Sequence, residues 1–294
     1  MNTALRVTAF TAGLAAAFGL ALGVGHATGT GPSPKPATTG HAGHTESSGA
    51  GSAAEHLPGG LQISERGYTL SLDSPYVTAG SPTDLRFRIL GTDGKPVTAY
   101  QQQHEKELHL IVAPRDLSTF QHLHPALAAD GTWSAPTAVP AAGEYRVFAD
   151  FTPAGAAEGL TLGADLHAAG DLHPAPLPQT GRTVTVDGYI VTLTGDLTPG
   201  RSSRLTLSVS KDGKPVTDLQ PYLGAYGHLV ALRAGDLAYL HVHPDTATPG
   251  PDIAFTTTAP STGSYRLFLD FQHGDTVHTA AFTVTTGESA DHQH

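Results

Sequence analysis

The 294-residue chain has no cysteine, and its only methionine is Met1. Disulfides, thiolate zinc sites, cysteine nucleophiles and redox pairs are therefore excluded. So is a blue-copper centre, which needs a thiolate ligand. Any metal site has to be built from nitrogen and oxygen, a donor set that favours Cu(II), Zn(II) or Ni(II) over Cu(I). Basic residues are also scarce, with 16 Lys and Arg against 26 Asp and Glu and a formal charge of −10. No basic stripe is available for phosphates, which excludes nucleic acid as a partner. The sequence has no G-x-S-x-G elbow, no Gly-rich phosphate loop and no H-E-x-x-H. It therefore points away from an enzyme. A metal-dependent hydrolase is the weakest reading, because no general base is signalled beside the histidines described below.

Glycine (34) and proline (22) are plentiful. Val- and Thr-rich runs alternate with turn signals, and long helical periodicities are absent after the N-terminus. This is the profile of an all-β protein.

The most informative stretch is Glu107 to Pro125, E-L-H-L-I-V-A-P-R-D-L-S-T-F-Q-H-L-H-P, which carries His109, His122 and His124. It returns as Gly227 to Pro244, with His228, His241 and His243. Each pair of corresponding histidines is 119 residues apart (228 − 109, 241 − 122, 243 − 124). Gly235-Asp236 between apolar runs predicts a hairpin with a two-residue turn. That register pairs Leu232 with Tyr239, Val230 with His241 and His228 with His243. The first copy, centred on Asp116-Leu117, pairs Ile111 with His122 and His109 with His124. Opposed residues share a face, so each trio falls on one side of its hairpin, beside Val230, Leu232 and Tyr239 or Ile111, Ala113 and Phe120. Opposed Cβ atoms ~4.5–5.5 Å apart allow imidazoles to share one ion. The competing reading is that the histidines only cap an apolar face, which would suffice for one histidine but explains three in two copies less well.

Taken in order, residues 1–27 read as an export segment. Arg6 is its positive end, Val7 to Val24 its uncharged stretch and Gly25-His26-Ala27 its small-x-small cleavage site. At 18 residues the apolar stretch would reach about 27 Å as a helix, so an uncleaved membrane anchor is the alternative. Residues 28–60 are low-complexity and read as a flexible linker containing His41, His44 and His56. The first domain spans 61–170, a Pro-rich link 171–181, the second domain 182–287 and a His-containing tail 288–294. About seven strands per domain predict tandem immunoglobulin-like or cupredoxin-like β-sandwiches. Tyr145 and Tyr265 open late strands in the manner of a tyrosine corner.

Asp150 and Asp270 recur in Y-R-x-F-x-D-F. They are candidates for a fourth ligand or for a partner orienting an imidazole, with salt bridges to Arg146 or Arg266 as the alternative. His104, replaced by Leu223 in the second copy, is a further neighbour. His167, His173, His273 and His278 lack counterparts and are assigned to the surface.

H-E-K-E-L-H-L-I-V at His104 to Val112, D-L-S-T-F-Q-H-L-H-P, Y-L-G-A-Y-G-H-L-V-A-L-R and L-A-Y-L-H-V-H-P resemble exported actinobacterial proteins described as secreted or heavy-metal-binding-domain proteins. The D-G-K-P-V strands are similar to YtkA-like periplasmic domains. The H…H-x-H order resembles periplasmic copper chaperones whose pattern is H…M…H-x-M, with His122 and His124 standing where methionines are found. These resemblances imply extracytoplasmic binding of Cu(II) or Zn(II) for buffering, delivery or resistance, one site per repeat. The competing class is a cell-surface interaction module in which the histidines are structural. No protein partner is indicated.

Overall fold

The computed structural model describes residues 57–240, 242–245 and 248–287. The expected export segment, nearly all of the expected linker and the expected C-terminal tail lie outside the described residues. Among the described residues every regular element is a strand, and no helix is long and apolar enough to cross a membrane.

Strand formation follows from alternation. In Thr83–Leu90, Leu85, Phe87 and Ile89 are buried while Asp84 and Arg86 face water, the period-2 pattern of a sheet covered on one face. This strand lies in a sheet ordered Ser64–Glu65, Tyr68–Leu72, Thr83–Leu90, Trp133–Thr137, Ala126–Leu127. The facing sheet runs Tyr76–Thr78, Leu160–Ala169, Gly143–Pro153, Leu108–Pro114, Gln121–Leu123, and Tyr100–Gln101 pairs at the end of Gly143–Pro153. The second copy repeats the plan. One sheet is Thr183–Val186, Tyr189–Thr194, Ser202–Lys211, Asp252–Thr258, Val242–Pro244, with Lys214–Pro215 pairing on Ser202–Lys211. The other is Tyr239–Leu240, His228–Arg233, Ser264–His273, Thr276–Thr285. In both copies this is the strand order of an immunoglobulin-like sandwich. Both tyrosine corners are formed: the hydroxyl of Tyr145 donates to the Ala141 carbonyl at 2.9 Å, and that of Tyr265 to the Ser261 carbonyl at 2.7 Å.

Each sandwich has its own core, one built around Phe87, Trp133 and Phe151 and the other around Phe255, Phe271 and Phe282. A third apolar cluster joins them. Ile111, Ala113, Leu117 and Phe148 of the first copy pack against Val230, Leu232, Leu237, Tyr239 and Phe268 of the second. Phe120 stacks on Phe268 with centroids 4.5 Å apart. Strand Leu108–Pro114 is consequently buried along its whole length, its even positions in its own core and its odd positions against the other sandwich. The face carrying the histidines is therefore the face on which the two sandwiches meet.

Three expectations change. The hairpins close with wider loops than two residues: Arg233 N–H donates to the Ala238 carbonyl at 3.0 Å, so Ala234 and Leu237 lie within the loop. Asp236 stabilises that loop by accepting from the Ala238 N–H, as Asp116 accepts from Ser118. The second arm also changes sheets. In the first copy Ile111 pairs with His122 as expected, but the ladder ends at Leu123. In the second, Leu232 pairs with Tyr239 as expected, but by Val242 the chain has joined the other sheet, and His243 pairs with Thr256 instead of His228. Finally, the end of the expected linker is docked. Gly59 pairs with Tyr239, and Gly60 N–H donates to the Thr161 carbonyl at 2.8 Å. Arg146 Nε donates to the Gly60 carbonyl at 2.7 Å.

Phe268→Ala, in the shared cluster, is expected to lower stability by about 3–5 kcal/mol in urea unfolding. Ile190→Ala, at a position 41% exposed, is expected to stay within about 0.5 kcal/mol. Comparable losses in the two variants would mean that the shared cluster does not hold the chain together.

Candidate metal centre between the sandwiches

His109 stands on strand Leu108–Pro114 opposite Asp150. Six residues earlier the chain makes a tight turn. Gln103 N–H donates to the Lys106 carbonyl at 2.7 Å, and Lys106 N–H returns the bond to Gln103 at 3.0 Å. His104 and Glu105 at its tip have φ of 50° and 63°, the doubly left-handed geometry of a type I′ turn. The turn aims the Gln103 carbonyl at His109 Nε2, 3.1 Å away. The second copy repeats the device: Tyr222 and Ala225 bond reciprocally around Leu223 and Gly224, and His228 Nε2 lies 2.7 Å from the Tyr222 carbonyl. A carbonyl only accepts, so Nε2 carries the proton in both rings and Nδ1 presents a lone pair.

His122 Nδ1 lies 3.1 Å from Asp270 Oδ2, across the boundary between the sandwiches. The side chains of both partners are 6% exposed, and Thr279 donates to the other oxygen of Asp270 at 2.6 Å. A carboxylate likewise only accepts, so the proton of neutral His122 is on Nδ1 and its Nε2 is bare. That bare nitrogen stands 3.0 Å from Nδ1 of His109. Two lone pairs at this distance repel unless a cation lies between them, either an added proton or a metal ion. Tetrahedral zinc with bonds of about 2.0–2.1 Å places neighbouring nitrogens roughly 3.3 Å apart.

His124 completes the group. One ligand atom from each of His109, His122 and His124 lies within 4.8 Å of the others. Nε2 of His124 is buried with no hydrogen-bond partner, a condition that asks for an explanation. His228 approaches from the second sandwich, its ring centroid 5.9 Å from His122 and 6.4 Å from His109, and it stands outside the group whose ligand atoms lie within 4.8 Å of one another. His104 lies 5.3 Å from His228 and 6.2 Å from His109. A cavity of about 360 Å³ opens between the sandwiches, lined by Gln103, His104, His109, His122, Asp150 and His228.

Of the sequence-predicted residues, the structure thus gathers His109, His122, His124 and His228, with His104 and Asp270 adjoining. His241 and the side chain of His243 lie outside the described residues. Asp150 accepts from Thr161 at 3.0 Å and from the Tyr239 hydroxyl of the other sandwich at 3.4 Å. Arg146 pairs with Asp165, and Arg266 donates to Thr283, so the expected salt bridges to the two recurrent aspartates give way to other partners. His278 is not a surface residue. It is buried at 7% exposure and bonded to Asp187 at 2.8 Å, while His273 holds the Tyr189 hydroxyl at 2.7 Å. The carbonyls of Gln103 and Tyr222 leave no side-chain signal in a sequence. The reach of His228 into the first trio follows from how the copies pack, which a single hairpin does not encode.

The model of a domain of unknown function, DUF8832, matches residues 63–165 and 184–288, well over half of the chain. The chain belongs to the DUF8832 family. Its two family repeats coincide with the two sandwiches. No curated protein matches it. Among solved structures, FdeC, an Escherichia coli adhesin, is 17% identical, with 75% of this chain and 65% of that one covered and a TM-score of 0.23. InvD of Yersinia pseudotuberculosis is 15% identical, covering 76% and 58%, with a TM-score of 0.25. The D0–D1 domains of intimin are 11% identical, covering 74% and 97%, with a TM-score of 0.20. This chain spans less than two thirds of the first two. Scores this low do not establish a shared fold.

Burial lowers the pKa of His109 to about 4, of His124 to about 3 and of His228 to about 4. Burial is the largest cause in each case, and any proton taken up by His122 would add to it by repulsion. An unfolded histidine takes up its proton near 6.5. These groups therefore add no pH dependence above about pH 7, and the folded state loses stability as pH falls from 6.5 towards 4, because the unfolded chain binds the protons first. Urea unfolding of the metal-free protein at pH 7.5, 6.0 and 5.0 should show this decline, with a shallower slope in His228→Gln. A flat profile would contradict buried, neutral rings.

Proposed function

We propose that this DUF8832 protein is an extracytoplasmic transition-metal-binding protein in which His109, His122 and His124 hold Cu(II) or Zn(II) for buffering, delivery or resistance. The observation that carries the reading is the pair of bare nitrogens of His109 and His122 facing each other at 3.0 Å. The buried, unpartnered Nε2 of His124 stands beside them. Neutral imidazole is the ligand form, and a histidine ligand ordinarily gives its second nitrogen to a carbonyl or carboxylate. The Gln103 carbonyl and Asp270 fill those roles here. The export segment, and the resemblance to exported heavy-metal-binding-domain and YtkA-like proteins, support placing the protein outside the cytoplasm, released or tethered by residues 7–24.

The second reading is a cell-surface interaction module that needs no metal. What favours it is that Gln103, Tyr222 and Asp270 already take the ring protons, so the cluster satisfies its donors without an ion and serves as a structural seam between the sandwiches. The tandem immunoglobulin-like plan suits display at a surface equally well.

Competition of the full-length protein against a chelator for Zn(II) and Cu(II), at pH 7.5, separates the two readings. The wild type should retain metal that a His122→Ala, His124→Ala double variant releases. Asp270→Asn should weaken retention about 10–100-fold. Wild-type protein that holds no more metal than the double variant would leave the interaction module as the standing reading.

A further inference from the structure

We propose that the histidines of the two copies form one shared centre instead of one site per repeat, with His228 of the second sandwich as the fourth imidazole on the ion held by His109, His122 and His124. The inference rests on the metal-binding reading above and concerns how that site is built. Because His228 stands outside the 4.8 Å group formed by His109, His122 and His124, a bound ion would draw it in and so act as a clasp between the sandwiches.

Four observations carry it. His228 is 8% exposed and lines the same cavity as His109 and His122. Its proton is committed to the Tyr222 carbonyl at 2.7 Å, leaving Nδ1 as the coordinating atom, just as the Gln103 carbonyl leaves Nδ1 on His109. The second arm of its own hairpin has joined the other sheet by Val242, and there His243 pairs with Thr256 and not with His228. The orienting carboxylate is also shared: Asp270, the ladder partner of His228, holds His122 of the first sandwich. Three histidines make an open site suited to a water or substrate, whereas four imidazoles close a tetrahedral one. A closed site is suited to holding an ion and bridging two domains, and is poorly suited to activating water.

The test uses the full-length protein at pH 7.5 with Zn(II) and Cu(II), in the presence of a competing chelator so that weak sites elsewhere in the chain are silent. One equivalent per chain is expected in the wild type. His228→Ala and His228→Gln should each lower its affinity at least about tenfold, with folding checked by circular dichroism. Electron paramagnetic resonance of the Cu(II)-loaded wild type should show coupling to four imidazole nitrogens. Should both variants unfold, that spectrum decides, four nitrogens supporting the shared centre and three overturning it. Two independent equivalents, or undiminished affinity in both His228 variants, overturns the shared centre while metal binding by His109, His122 and His124 stands. Absence of binding in the wild type removes both.

Discussion

The central strands of each sandwich are apolar on both faces, and this governs the rest of the molecule. One face of Leu108–Pro114 and Gly143–Pro153 fills the first core, and the other face would be exposed if the sandwich stood alone. Burying Ile111, Phe148, Val230, Leu232 and Phe268 stabilises by about 1.5–3 kcal/mol per side chain, and all five are at most 4% exposed. An uncovered patch of that kind is rare on a soluble monomer. The sandwiches therefore pack on one another through equivalent faces, within one compact unit. The docked segment at Gly59 and Gly60 reinforces the seam, since its backbone bonds both Tyr239 of one copy and Thr161 of the other.

The chemistry of the histidines follows from that seam. Because His109, His122 and His124 share the face that docks, docking removes them from water, and desolvation disfavours the charged forms of His109 and His124. A buried neutral imidazole still needs partners for a donor and an acceptor. The donors are satisfied by groups that only accept: the carbonyls of Gln103 and Tyr222 and the carboxylate of Asp270. Every such bond turns a lone pair inward. Satisfying the donors on the outside of the cluster thus concentrates unsatisfied acceptors at its centre, which is the electrostatic condition that attracts a cation.

Much of this was legible in the sequence, for identifiable reasons. The period-2 alternation of Thr83–Leu90 and the Y-R-x-F-x-D-F strands fixed the all-β reading, and the 119-residue offset revealed the duplication. The face shared by His109, Ile111 and His122 followed from pleat and register alone. What stayed hidden was long-range. Nothing local marks that Leu240 and Val242 belong to different sheets, because a strand that changes sheets keeps its alternation. Nothing in a single copy indicates that Asp270 would orient His122 instead of a histidine of its own hairpin. His278 was misassigned because its partner, Asp187, is distant in sequence. The two-residue turn at Gly235-Asp236 was a reasonable expectation that lost to an aspartate-capped loop, with Leu237 at φ 62°.

The two copies have also ceased to be interchangeable. The tight turn before each first histidine requires two left-handed residues. The second copy meets this with Leu223 and Gly224, the first with His104 and Glu105. Glycine occupies such a position without steric cost, whereas a non-glycine residue there costs of order 1–3 kcal/mol. The first copy therefore carries strain that the second partly avoids, and the strained turn is the one that places an extra imidazole beside the cluster. The orienting carboxylate of His122 comes from the second copy. Neither sandwich alone holds both His122 and Asp270, or both the His104 turn and His228. A duplication that began as two equal halves has become one assembly of complementary parts, and the need to keep those parts in fixed register is a physical reason for them to remain in a single chain.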